Sequence, residues 1–391
     1  MRVALISIAG QPREAGKDTP FAVSGKTLVQ RQLEFVLAAG CERVIAIGDG
    51  ASAEAIALRH AAEGVGARFD VMRDGHRLLG ALGASDELLV LAPGVLADSP
   101  AAMEMLAKGN KVLVLPAAPG IAAGFERIDL ERAWAGAMLI PGSLVERLSD
   151  LPDDSEPTSA LLRVALQARI REVRLPDEHF TDGSWARVGE EETPGTRDAA
   201  WLRRNLMPAA TRAISPLLAR ISLSLLAAPL LSARQALASV VAAVGVFLAG
   251  ALAASAYDLS LLGFGLVALA AFASELAAGL LQLRDAPFPK ARKRIWGILP
   301  VAVDLALAIC AALAIDGDWP HRLFPPLVLL GALHAGRFLE RTDWSALLGD
   351  RALLAAVLAV AAGFGLAEPA VMLAALVAIA LNVLNSRPQS G

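Results

Sequence analysis

A basic turn between two long apolar runs constrains this chain more than any other feature. Residues 272–305 read FASELAAGLLQLRDAPFPKARKRIWGILPVAVDL. Arg284, Lys290, Arg292, Lys293 and Arg294 crowd into the turn, which Pro287 and Pro289 interrupt. Apolar segments joined by concentrated Lys and Arg are expected of membrane helices connected on the cytoplasmic side. The five cations are read as topology determinants, with contact to lipid phosphates or another anionic head group as the sharper alternative.

Composition agrees with a membrane half. The 391 residues are 55% hydrophobic and 19% charged, above the roughly 45–50% apolar content of soluble chains. The excess is uneven: residues 1–208 hold most of the charge, and 209–391 are rich in Ala, Leu and Val. The reading is a soluble domain over 1–200, a linker with a juxtamembrane amphipathic helix over 201–234, and a membrane domain over 235–391. A net charge of −3 gives no reason to expect nucleic acid. Cys41 and Cys310 form no disulfide framework or Cys-based metal site. The opening MRVALISIAG fits a buried strand better than a cleavable leader, so the head is expected on the cytoplasmic side.

Six apolar runs follow, near 235–255, 260–283, 295–315, 323–339, 352–366 and 370–384. A span needs roughly 17–25 apolar residues, and the last two runs are short. Basic residues gather before the first run, between the second and third, and between the fourth and fifth, where Arg337, Arg341 and Arg351 lie. The alternate loops hold few cations. Six spans with both termini cytoplasmic satisfy this pattern, in an inner (cytoplasmic) membrane.

The head alternates short apolar runs (2–8, 43–47, 87–92, 111–115) with helical patterns (26–39, 53–63). That alternation predicts an α/β domain with a mostly parallel sheet. Ligands of such sheets bind beyond the carboxyl ends of strands, so the loop after Ile8 is the first candidate site. Gly10, Arg13, Lys17 and Lys26 lie in or just beyond that loop. Taken singly, each is more often a solvated loop residue.

The stretch IAGQPREAGKDTPFAVSGKTLVQRQLEFVLAAGCERVIAI resembles the opening of the sugar-phosphate nucleotidyltransferases, whose pattern is AAG-x-G-x-R, then Pro-Lys, then V-x-G-K-P-L before a helix. SWARVGEEETPGTRDAAWL is similar to their later W-x-D segment. The resemblance implies a GT-A/Rossmann-like fold binding a nucleotide such as CTP, for which Gly10, Arg13, Lys17 and Lys26 are the candidate nucleotide-binding residues. A Gly-rich loop would approach the phosphates, and two acids would hold Mg²⁺. The chain departs from the pattern at the residues that carry chemistry. Pro12 replaces the second Gly and Phe21 the lysine. Ala92-Pro93 stands where Gly-Asp is expected, with Asp98 further on, and Arg187 stands at the late acid position.

The membrane half resembles the CDP-alcohol phosphotransferases, which displace CMP from a CDP-activated group with an alcohol. Their motif, D-x2-D-G-x2-A-R then G-x3-D-x3-D, divides between the second and third spans. Acidic residues there hold divalent metal, and the last Asp is the expected base. Placing Gly279 on the family's Gly puts Glu275 at the first acid, Ala278 at the second, and Val301 and Leu305 at the later two, with Asp304 one residue away. Glu275 and Asp304 are therefore the candidate catalytic and metal residues, with Mg²⁺ or Mn²⁺ implied for an active site. Carboxylates inside membrane segments cost roughly 2.5–3.5 kcal/mol on insertion scales. Both are expected to face the bundle interior and to have partners, His334 and Arg337 being named.

A nucleotidyltransferase-like head fused to this membrane domain resembles the bifunctional inositol-phosphate cytidylyltransferase and di-inositol-phosphate phosphate synthase type. Three functions follow. One is a binding or scaffold protein of phospholipid or phospho-alcohol metabolism, with catalysis weakened or lost in both motifs. A second is an active transferase moving a phospho-alcohol group from a CDP-alcohol to a hydroxyl. The third, transport, lacks an internal repeat. Expected partners are membrane lipids, CDP-alcohol or CTP, and a second copy through the membrane domain.

Overall fold

A computed structural model describes residues 1–14, 19–150, 156–189, 194–206, 213–232, 235–288, 297–336, 347 and 349–385. It divides into two compact units, Met1–Arg204 and Asn205–Gly391.

The first unit is built on a seven-stranded sheet. Its strands in chain order are β1 (Arg2–Ser7), β4 (Arg43–Ile47), β5 (Arg68–Met72), β6 (Glu87–Leu91), β8 (Lys111–Pro116), β9 (Arg132–Pro141) and β10 (Glu172–Arg174). Their spatial order is β10-β8-β9-β6-β1-β4-β5. Only β9 runs against its neighbours, β6 and β8; the other pairings are parallel. Central strands of parallel sheets are covered on both faces and read as continuous apolar runs, as Val3 to Ile6 and Leu88 to Leu91 do. Two short pairs complete the strands: β2 (Ala22–Val23) with β3 (Lys26–Thr27), and β7 (Val95–Ala97) with β11 (Trp185–Arg187).

Helices fill the connections: α1 (Leu28–Ala38), α2 (Ala53–Glu63), α3 (Pro100–Leu106), α4 (Ala117–Ala122), α5 (Pro157–Gln167), α6 (Asp177–Thr181) and α7 (Pro194–Leu206). The start of α1 is a capping box. Thr27 accepts from the Gln30 N–H, and the Gln30 side chain accepts from the Thr27 N–H, satisfying two otherwise orphaned donors. Gly40, at φ +82°, turns the chain out of α1 into β4.

The second unit is helical: α8 (Ile214–Ser232), α9 (Ala236–Ala256), α10 (Ser260–Asp285), α11 (Ile298–Leu313), α12 (Trp319–Ala335), α13 (Arg351–Gly363) and α14 (Ala367–Asn385). Among the described residues, α9, α10 and α14 are long and apolar enough to cross a membrane. The helices α11, α12 and α13, of 16, 17 and 13 residues, each occupy one of the remaining apolar runs. Phe264, Val267, Leu307, Cys310, Leu329, Leu358 and Val371 form the centre of the unit's core. Small residues set the helix spacing. At Gly263 a Cβ would overlap Ser255 Oγ, and at Gly279 it would overlap Leu223 Cδ1, so α8 packs directly on α10. The opposite side of α8 leaves Leu217, Leu218, Ile221, Leu225 and Leu226 exposed.

Candidate functional site

The switch point of the head's sheet lies at the carboxyl end of β1. The chain leaves β1 for β4 on one side and later returns to β6 on the other, which is where such sheets bind ligands. Gly10 is exposed there with φ +71°. Arg13 is exposed, and its backbone bridges to Pro20. Lys26 lies further along and is committed to Glu34, its Nζ reaching both carboxylate oxygens at 2.7 and 2.8 Å. Lys17 lies outside the described residues.

Side-chain amides stitch this crevice together. Gln11 Nε2 donates to the Ser7 carbonyl (2.6 Å), and Gln11 Oε1 accepts from the Gly94 N–H (3.1 Å). Gln32, fully buried on α1, donates to the Ala92 and Val95 carbonyls (2.8 and 2.9 Å). Gly94 is at φ +75°, and a Cβ there would meet Pro12 Cδ at 3.6 Å. The loop after β1 is therefore packed against the loop after β6 where a triphosphate would have to enter. Phe21, at the position of the family's lysine, is 1% exposed and belongs to the core.

The nearest substitute for the missing acid is no freer. Asp98 is 2% exposed, and its Oδ2 lies 3.1 Å from Arg31 Nη1 and 3.7 Å from Arg204 Nη2. Arg31 also donates to the Val23 carbonyl, and its guanidinium lies 4.5 Å from the ring centre of Trp201 on α7. Asp198, three residues earlier on α7, accepts from the Ser24 N–H; burial pushes its carboxyl above the ordinary value. Asp98, Arg31 and α7 thus form a structural clamp. Arg187 ends β11, and Glu190, Glu191 and Glu192 lie outside the described residues.

In the helical unit the structure places the two candidate acids differently. Asp304 is 2% exposed on α11. Its Oδ1 accepts from Arg351 Nε at 2.8 Å, its Oδ2 lies 3.4 Å from Arg351 Nη2, and His334 Nε2 stands 3.7 Å from Oδ2. Val301 and Leu305, which the motif alignment placed at the acid positions, are 54% and 57% exposed. A one-residue step turns a helix by about 100°, so the inward register of α11 passes through Asp304 instead.

Glu275 was expected to face the interior and is exposed on α10. Arg220, Asp350 and Arg351 surround it electrostatically, so Arg351 is the group that the two acids share. Of the expected partners, His334 approaches Asp304 and Arg337 lies outside the described residues. Arg351, read from the sequence as a loop cation, donates to Asp304. Its neighbour Asp350 caps α13 by accepting from the Leu353 N–H (3.1 Å) and holds α8 through the Ser215 N–H and Oγ (2.7 and 2.6 Å). Arg284 closes the last turn of α10; Lys290, Arg292, Lys293 and Arg294 lie outside the described residues.

These donors do not fit the divalent metal that the resemblance implies. Mg²⁺ seeks hard oxygen ligands in a near-octahedral shell. Asp304 instead faces a guanidinium, Ala278 supplies no ligand, and Val301 and Leu305 face outward. Among the described residues no three His, Cys, Asp or Glu side chains converge.

No protein-family model and no curated protein matches the chain. Among solved structures, that of HddC from Yersinia pseudotuberculosis aligns over 46% of this chain and 96% of its own, at 13% identity and a TM-score of 0.31. A likeness that weak identifies no activity.

Proposed function

We propose that this chain is a multi-pass membrane protein of the fused nucleotidyltransferase and CDP-alcohol phosphotransferase type whose catalysis is lost, serving as a binding or scaffold component of phospholipid or phospho-alcohol metabolism. The observation that carries this reading is the Arg351–Asp304 pair. The buried acid in the second half of the expected motif is neutralised from within the chain, by a cation where a metal would have to sit.

Six spans with both termini cytoplasmic remain the topology of this proposal. His321 Nε2 lies 2.9 Å from Glu368 Oε1, joining the first turns of α12 and α14, which follow two of the loops poor in cations. That contact supports placing both on one side of the membrane. The exposed leucines of α8 suit a helix lying at the membrane interface.

The test uses the full-length chain in lipid nanodiscs, supplied with CDP-alcohols, Mg²⁺ or Mn²⁺ and hydroxyl acceptors, with CMP followed by chromatography. No CMP release above background is expected, and calorimetry with CTP and Mg²⁺ should show no nucleotide-binding heat. CMP release that disappears in Asp304→Asn and Glu275→Gln would overturn the silent reading in favour of an active transferase.

A further inference from the structure

Strand β5 is the outer edge of the head's sheet, separated from β1 and its crevice by β4. An open basin of about 560 Å³ lies along it, lined by Arg43, Arg59, Arg77, Phe69 and Asp70. That volume falls within the range of small-molecule sites, roughly 300–1,000 Å³. Three guanidiniums face one carboxylate, and that carboxylate is already used. Arg43 Nε donates to Asp70 Oδ2 at 2.7 Å, while Arg43 Nη1 donates to the Ala81 carbonyl at 2.8 Å. These bonds anchor Arg43 in place. Arg77 is solvated, its Nε 3.9 Å from Asp74 Oδ2, and Arg59 comes from α2.

The backbone edge adds both donors and acceptors. Arg68 N–H bonds the Glu42 carbonyl, and Gly48 N–H bonds the Met72 carbonyl. Residues 68 and 72 therefore turn their polar groups toward β4. Strand alternation turns those of Phe69 and Val71 outward, where the described sheet has no further strand. Phe69 borders the basin and is only 7% exposed.

We propose that this basin binds a phosphate-bearing organic anion. Guanidinium forks match phosphate oxygens in pairs, and the outward N–H groups of Phe69 and Val71 can donate to the same ligand between carbonyls that turn the same way. The basin's size leaves room for an organic part beyond the phosphate. A soluble phosphate ester and the phosphate of a lipid head group share this chemistry. The proposal is independent of the reading given for Asp304, which lies in the other unit.

The test is calorimetric titration of the full-length chain in neutral detergent, with pyrophosphate in one arm and a short-chain phosphatidic acid in the other. Saturable binding is expected in at least one arm, weakening as salt rises. The Arg59→Gln/Arg77→Gln double variant should bind at least ~10-fold more weakly, about 1.4 kcal/mol, with an unchanged unfolding midpoint. Arg77→Gln alone, at a side chain 69% exposed, should bind several-fold more weakly and keeps the test open should the double variant misfold. Binding of pyrophosphate alone assigns a soluble phosphate compound, and binding of the lipid alone assigns a head group. No saturable heat in either arm, or undiminished binding by the folded variants, overturns the proposal.

Discussion

Each unit of this chain holds a buried aspartate that an arginine from another element has captured. The two pairs differ in what surrounds them. Arg31 and Asp98 are both sealed, at 0% and 1% side-chain exposure, with Trp201 against the guanidinium and Arg204 nearby. Arg351 is 16% exposed and Asp304 3%, with the half-exposed His334 and the accessible Glu275 in the same neighbourhood. Desolvating two charges is costly even when they pair, and removing one partner strands the other. The sealed pair behaves as a rivet between α1, β7 and α7. The helical pair is less enclosed by the chain, so its replacement should disturb the fold less.

The largest effect is expected from Asp98→Ala, which leaves Arg31 buried and unpaired. It should cost about 3–5 kcal/mol, read as a lowered urea midpoint in the fluorescence of Trp134, Trp185 and Trp201. Replacing the pair together, Arg31→Met with Asp98→Leu, should recover most of that loss. A double variant as unstable as the single one would show that Asp98 does more than pair. Arg351→Ala should cost less, about 2–3 kcal/mol, because His334 stays 3.7 Å from Asp304. Faster thiol labelling of Cys310, fully buried in the same core, reports it. A loss as large as that of Asp98→Ala would erase the contrast between the pairs.

Ser215→Ala and Asp350→Ala should each cost about 1 kcal/mol, with Asp350→Ala the larger because it also removes the cap of α13. Equal losses would mean that the cap contributes nothing beyond the tie to α8. The smallest effect is a pH slope. Burial raises the Asp198 carboxyl above its ordinary value, so the folded head binds more protons than the unfolded chain between those two values. Its stability therefore falls as pH rises through that window. Asp198→Asn should flatten the slope in denaturation curves measured across the acidic range; parallel slopes would remove Asp198 from the clamp.

Sequence patterns exposed much of the scaffold and only part of the site. The runs that became β1, β4, β6 and β8 are Val, Ile and Leu in succession, because both faces of those strands are covered. Strand β5 reads RFDVM and β9 reads RAWAGAMLIP. The first is charged because it is an edge, and the second is rich in Ala and Gly because its neighbours approach closely, so neither shows a strand pattern. Glu275 and Asp304 are conspicuous as acids inside apolar runs. Their arginine is not: Arg351 follows a polar stretch of chain and looks like any loop cation, and only the fold turns it onto Asp304. Arg31 is hidden in the same way, since a charge between Gln30 and Gln32 suggests a solvated helix face, whereas α7 covers it.

The seat of α8 carries one more consequence. Leu223 fits the notch at Gly279 on α10, and Ser215, eight residues earlier and about 12 Å along the helix, is tied to Asp350 at the start of α13. A rod located by two dowels in two different parts can neither slide nor pivot alone. One turn of slippage along α10 would press Leu223 onto Glu275 or Leu283. Any lateral force that reaches the exposed leucines of α8 is thus delivered to Asp350, and the next residue in the chain is Arg351.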